Sequence, residues 1–285
     1  MLRWLALTPF LGGTIVLVIV PVVLTFALAF FEYDALSLPV WRGFDNFTVI
    51  FHERVFHYAV QNSLFFVLTA VPLRILGAMA LAVLLERRRR FTASYRAAVF
   101  LPTIVPDVAY ALIWLWIFNP LYGPLNLVLG AVGIKGAAWL VNPDTALGAI
   151  VFMSLFQIGE GLILVLAALR QIAPEYYEAA RIDGASPVRC FWHITLPLIA
   201  PWLLLLFARD VAITMQSSFT AAYLMTGGGP YYATLLMPVL IFEEAFDRFR
   251  FGLGSAMTLV TFAVIATALF VVQRVMRRLL HEDQV

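Results

Sequence analysis

Cysteine and lysine are almost missing from this 285-residue chain: there is one of each, Cys190 and Lys135. A lone cysteine excludes an internal disulfide and any multi-cysteine metal site, so Cys190 reads as a small packing residue. Lys135 stands in GIKGAA. The phosphate-cradling pattern G-x-x-x-x-G-K-[ST] is therefore absent, and with it a nucleotide-hydrolysing loop of that type. The four histidines, His52, His57, His193 and His281, are scattered and lack zinc-site spacing. GLGSA is not G-x-S-x-G, so a serine nucleophile has no support either. Charge is also scarce, at 13% of residues, where an ordinary soluble domain carries about 25%. A net charge of +2 is too small for a nucleic-acid surface. What remains is oil: 62% of residues are hydrophobic and the mean hydropathy is +0.91. Length alone allows one or two soluble domains, but this composition predicts a multi-span membrane protein.

A helix needs about 20 mainly apolar residues to cross the hydrocarbon core. Six stretches qualify: Leu5–Phe31, Tyr58–Leu85, Tyr95–Phe118, Thr145–Leu169, Leu198–Met225 and Leu253–Val275. Each is expected to be α-helical, because lipid cannot satisfy an open backbone. The first follows Arg3 as a signal peptide would. It exceeds the roughly 7–15-residue apolar core of such a peptide, however, and reads as a retained span. Arginine sets the orientation. With both termini cytoplasmic, that side holds Arg3, Arg87–Arg90, Arg96, Arg170, Arg181, Arg189, Arg274, Arg277 and Arg278. The opposite side holds only Arg42, Arg54, Lys135, Arg248 and Arg250. The run ERRRR at 86–90 reads as a topology anchor against anionic lipid, with a protein-docking patch as the competing reading.

Between the fourth and fifth spans lies EYYEAARIDGASPVRCFWHITLPLIAP, Glu175–Pro201, polar and compact. Local chemistry divides it into helix, turn, helix. Pro174 suits a first helical position. Glu175 and Glu178 share one face near the positive end of the helix dipole. Ala179 and Ala180 keep that face free of bulk. Gly184 is a left-handed stop, and Ser186-Pro187 supplies a cap and first residue for a second helix that re-enters the membrane.

The ordered set Glu178-Ala179-Ala180, Asp183-Gly184-Ala185 and Ile194-Thr195-Leu196-Pro197 resembles the EAA loop of binding-protein-dependent ABC importer permeases. YLMTGGGP at 223–230, FGLGSA at 251–256 and FLPTIVP at 100–106 resemble elements of the carbohydrate branch, which serves maltose, other sugars, polyols and glycerol-3-phosphate. Within it the chain is similar to the first of two paired permeases. The resemblance covers nearly the whole chain. It implies an all-α integral membrane protein of about six transmembrane helices, residues 1–285 forming a single permease domain of a bacterial-type cytoplasmic (inner) membrane. It implies that the loop at about 170–197 is a coupling helix seated on an ATPase, with Glu175, Glu178, Ala179, Ala180, Asp183, Gly184 and Ala185 carrying the contact. The implied partners are a second permease, a cytoplasmic ATPase dimer that binds the ATP and Mg, an extracytoplasmic solute-binding protein and a sugar. The chain itself then needs no cofactor or metal and is not an enzyme.

Ionisable groups inside spans are expensive and face a cavity or a partner. Ser154, Gln157 and Glu160 recur every three residues on the fourth span, and Gly159 and Gly161 would let a helix or solute approach. Asp210, Thr214 and Ser217 share a face of the fifth. Counted from the EAA loop, these faces match sugar-contacting positions of the maltose-type permease. Gln157, Glu160, Asp210, Thr214 and Ser217 are accordingly the expected substrate pathway. The competing reading is a structural ion pair of Glu160 or Asp210 with Arg74, Arg209 or the partner permease. Arg74, beside Pro72, reads as part of a structural bend. Trp114, Trp116, Trp139 and Trp202 read as interface anchors, while Tyr110 and Tyr223 are secondary lining candidates. Two intramembrane carboxylates with few cations nearby predict a neutral sugar or oligosaccharide over an anionic solute; the alternative is a permease for glycerol-3-phosphate or another polar solute. Two other classes compete. A membrane enzyme would need clustered catalytic residues, and an ion-coupled secondary transporter would need similar halves and broken helices.

Overall fold

The computed structural model describes residues 2–86 and 92–282. The arginine run 87–90, read above as an anchor, lies outside the described residues. Four helical stretches are long and apolar enough to cross a membrane: Leu7–Leu28, Arg54–Glu86, Pro187–Thr226 and Phe251–Arg274. Two bent pairs bring the total to six, in agreement with the six stretches expected from hydropathy.

The first span is α1 (Leu2–Thr14), a π turn (Ile15–Ile19) and α2 (Val20–Leu28). It ends short of Phe31 because the chain turns there into a hairpin, β1 (Phe31–Glu32) against β2 (Val40–Trp41), that hydropathy did not foretell. Arg42 closes the hairpin on Glu32 at 2.7 Å. After α3 (Asp45–His52), α4 (Arg54–Glu86) runs unbroken through Pro72. Its buried row Ala59, Ser63, Phe66, Ala70, Ile75, Ala78 and Ala82 includes four alanines. Small residues let neighbouring helices approach where lipid offers no hydrophobic drive.

The third span is broken into α5 (Thr92–Ile104) and α6 (Asp107–Ile117), which meet at 101°. Pro106 explains the position of the break, since it pushes Val105 out of the helical region. α7 (Pro124–Ala131) follows. The fourth span breaks at 47° between α8 (Pro143–Ser154) and α9 (Gly159–Leu169). There a Cβ on Gly159 would lie 2.8 Å from Phe100 Cα, so α5 packs backbone-close on the restart of α9.

α10 (Pro174–Ile182) and α11 (Pro187–Cys190) make the polar segment. A π turn (Phe191–Thr195) then leads without a break into α12 (Leu196–Thr226). Both this turn and that of the first span have one cause. A helical proline clashes with the carbonyl four residues back, and those carbonyls, of Leu17 before Pro21 and His193 before Pro197, sit inside the two widened turns. α13 (Met237–Phe242), a third π turn (Glu243–Asp247) and α14 (Phe251–Glu282) complete the chain.

α12 is the axis: it packs on α4, α6, α9 and α14. Two apolar clusters surround it. One, towards the hairpin, holds Phe66, Trp114, Met153, Ala222, Leu240 and Met257. The other, towards α10, holds Val71, Leu162, Val165, Ile199 and Leu206. Trp114 belongs to the first cluster, packed in tilted and edge-on contact with Phe118, Phe152 and Phe156 at 5.0–5.8 Å between centroids, and is not an interface anchor. Trp139 is likewise drawn inward, its indole N–H donating to Asn126 Oδ1 at 2.8 Å. Trp116 and Trp202 are exposed, as an anchor requires.

Candidate functional site: a charged cavity and an exposed polar segment

Helices α4, α5, α6, α9 and α12 enclose a cavity of about 190 Å³ whose wall includes Arg74, Asp107, Gln157, Glu160, Arg209, Asp210 and Ser217. A second, of about 40 Å³, adjoins it and is lined by Tyr110, Ser154, Gln157, Thr214 and Ser217 among others. Four of the five residues expected on a solute pathway, Gln157, Glu160, Asp210 and Ser217, therefore share the larger cavity, and Thr214 faces the smaller one. Small-molecule pockets usually measure about 300–1,000 Å³. A disaccharide would need this space widened or completed from outside the chain.

Both carboxylates carry arginine partners. Arg74 contacts Asp210 at 3.2 Å and also donates to the Thr214 hydroxyl. Arg209 contacts Asp210 at 3.1 Å and forms a direct ion pair with Glu160. The expectation of carboxylates with few cations nearby is thus corrected: Glu160 and Asp210 are ion-paired, and they border the cavity while being so. Arg74 is part of the cavity wall, and α4 passes Pro72 beside it as one helix. A further correction concerns the Ser154–Gln157–Glu160 face. The helix stops at Ser154, whose hydroxyl is buried and donates to the Val151 carbonyl at 2.7 Å, and restarts at Gly159. Gln157 reaches the cavity from the break itself. Gly159 and Gly161 admit helices: a Cβ on Gly161 would stand 3.3 Å from Ala78 Cβ.

Tyr110 is buried, with its hydroxyl donating to the Met153 carbonyl at 2.8 Å, and it borders the smaller cavity. Tyr223 stacks on Phe219 at 5.1 Å, away from both cavities. Asp107 and Thr103 were missed by sequence reasoning. An acid placed directly after the span-breaking Pro106 was the available signal.

The polar segment has the anticipated local structure. Pro174 opens α10, and Ser186 caps α11, its Oγ accepting from Arg189 N at 3.3 Å. Gly184 has φ +75°. It closes a Schellman motif: Ala185 N donates to the Ala180 carbonyl at 2.8 Å and Gly184 N to that of Arg181 at 3.0 Å. Tyr177 Oη and Thr195 Oγ1, 2.9 Å apart, fasten α10 to the π turn. Glu175, Glu178, Ala179, Asp183 and Gly184 are exposed, and Ala180 and Ala185 are partly so. Around the acidic face stand Tyr176, Ile182, Val188 and Trp192, 57–87% exposed. Arg181 and Arg189 are exposed on the same segment, so it presents mixed charge together with uncovered apolar side chains, as a protein-docking surface can. Cys190 is buried, as a packing residue should be.

Residues 78–281 match the family model of the binding-protein-dependent transport system inner membrane component. The chain is 35% identical over 266 residues to the probable ABC transporter permease YesP of Bacillus subtilis, covering 91% of this chain and 85% of that one. It is 32% identical over 279 residues to the trehalose/maltose permease MalF of Thermococcus litoralis, covering 97% and 94%. Its fold is similar to a chain of a bacterial ABC transporter that imports the acidic polysaccharide alginate, with a TM-score of 0.85 at 20% identity over 97% of this chain and 95% of the other. The motif-bearing α10–α11 segment and the cavity helices α5, α6, α9 and α12 fall within the matched residues, and the chain belongs to the inner membrane permeases of binding-protein-dependent ABC transport systems.

Proposed function

We propose that residues 1–285 act as one permease unit, half of the translocation pathway of an ABC importer for a sugar or oligosaccharide. The observation that carries this reading is the 40-residue helical run Pro187–Thr226. At one end it bears the exposed segment with the EAA pattern, and at its middle Arg209 and Asp210 of the cavity. A rigid helix of this kind transmits displacement from one site to the other. Gln157, Glu160, Asp210, Thr214 and Ser217 line the solute path, and Glu175, Glu178, Ala179, Ala180, Asp183, Gly184 and Ala185 form the seat on the ATPase. The chain performs no catalysis. ATP and Mg are bound by a separate ATPase dimer, and a second permease of the pair supplies the facing half of a cavity too small by itself. An extracytoplasmic binding protein delivers the solute. Arginine distribution supports a cytoplasmic position for both termini and for α10.

The test is reconstitution of the complete importer in proteoliposomes, with uptake of labelled disaccharides compared against glycerol-3-phosphate. ATP-dependent disaccharide uptake exceeding that of the phosphate ester by at least about tenfold, a difference of ~1.4 kcal/mol, is expected. Uptake of the phosphate ester alone would reassign the cargo.

A further inference from the structure

The two cavities share four wall residues: Arg74, Asp107, Gln157 and Ser217. These mark the neck through which a solute would pass from one space to the other. The carboxylates near it differ in their commitments. Glu160 is held by Arg209, and Asp210 by both Arg209 and Arg74. Asp107 is exposed to the cavity and has neither an ion-pair nor a hydrogen-bond partner among the described residues. Backbone geometry fixes its place: it is the first residue of α6, where the chain restarts after the 101° bend. The N-terminal end of a helix also favours a negative charge.

The wall thus presents two arginines, both already bound to carboxylates, against three carboxylates, one of them unbound. It offers a strong acceptor, and its two cations are each engaged by a carboxylate, Arg74 keeping only a buried Nε–H without a partner. On the reading of this cavity as a sugar path, we propose that Asp107 is the specificity-determining residue of the neck, accepting hydrogen bonds from hydroxyls of a neutral solute and turning away anionic ones. An ionised carboxylate only accepts, and through two oxygens, which suits two adjacent hydroxyl donors. Such charge-assisted bonds are the strong kind. Gln157 and Ser217, neutral and able both to donate and to accept, complete the contacts without changing the charge preference. A carboxylated or phosphorylated sugar would bring like charge against Asp107, and would have to displace Glu160 or Asp210 to gain an arginine.

The experiment uses the complete importer in proteoliposomes with Asp107→Asn, Asp107→Glu and the unsubstituted chain, normalised to intact complex. The probes are labelled maltose, trehalose and cellobiose, each paired with its C6-oxidised uronate of the same skeleton. The binding protein is identical in every arm, so any change between variants belongs to the permease. Asp107→Asn is expected to raise the half-saturating concentration for the transported neutral sugar, and to raise the uronate-to-neutral uptake ratio by at least about tenfold, the effect of removing one short-range like charge. Asp107→Glu, which keeps the charge, is expected to hold the ratio near that of the unsubstituted protein. A merely structural role would lower the maximal rate for both probes and leave the ratio fixed, and that result overturns the proposal. If the unsubstituted importer takes up none of the six probes, the sugar reading itself fails and takes this inference with it. If it takes up a neutral sugar and the ratio does not move in Asp107→Asn, only the assignment of Asp107 fails.

Discussion

Arg74 and Arg209 touch the same carboxylate from different depths. The Arg74 and Asp210 side chains are 12% and 14% exposed, whereas those of Arg209 and Glu160 are 38% and 52% exposed. Removing one partner from a buried pair leaves an uncompensated charge and costs about 3–5 kcal/mol, while an exposed pair is worth about 0–1 kcal/mol. Arg74→Met should therefore lower the thermal unfolding temperature of the complex in detergent far more than Arg209→Met. Equal shifts, or a larger one for Arg209, would show that burial does not rank these pairs. The contrast also gives them different duties. The Arg74–Asp210–Thr214 group holds α4 to α12, and the more open Arg209–Glu160 contact bridges α12 to α9 at the cavity surface, where a passing solute can compete with it.

The turn between α10 and α11 shows how far short sequence determines local structure. Nothing lies within 4 Å of a Cβ built on Gly184, so space does not require glycine there; φ +75° does. A side chain in the left-handed region costs roughly 1–2 kcal/mol, less for asparagine and more for a β-branched residue. The yield of intact complex on size exclusion should fall in the order Gly184, Gly184→Asn, Gly184→Ala, Gly184→Val. A Val variant assembling as well as the original chain would mean that the Schellman turn is not needed for seating. The cap, the stop and the first residue of each helix could be read from the sequence because each is decided within four residues. The two span breaks differ in this respect. Pro106 announces the first. The second has no proline, and it coincides with the approach of Phe100 to Gly159, a contact across more than fifty positions of chain.

Across the molecule, α12 with its preceding turn joins the exposed segment to the cavity, and Tyr177 clamps α10 to the base of that helix. A rigid link makes a sharp demand. Two glycines inserted between Thr195 and Leu196 would leave both ends chemically intact while letting them move apart, since each glycine weakens a helix by about 1 kcal/mol. Such a chain should still assemble and support ATP turnover, but solute uptake per ATP hydrolysed should drop by at least about tenfold. Uptake at the ordinary ratio would show that force reaches the cavity by another route. The hairpin end is tied separately. Asn62 donates to the carbonyls of Tyr232 and Leu235 at 2.7 and 3.1 Å, and Ser63 Oγ accepts from Met237 N at 2.8 Å. These bonds lock the loop after α12 onto α4.

The sequence by itself determined the membrane class, the six apolar stretches and the helix–turn–helix of residues 174–195, because composition and capping act locally. It also placed Gln157, Glu160, Asp210, Thr214 and Ser217 among the polar groups that lipid would not tolerate. Only the tertiary structure decided which charges meet. Arg74, Glu160, Arg209 and Asp210 come from three helices, and no periodicity within one helix reports a contact between two. The same holds for Asp107, whose unpaired carboxylate is defined by cations on other helices that are already engaged. Charge balance in a cavity is a property of the packed helices, and it left one free carboxylate, Asp107, where the sequence-based expectation of cargo had rested on two others, Glu160 and Asp210.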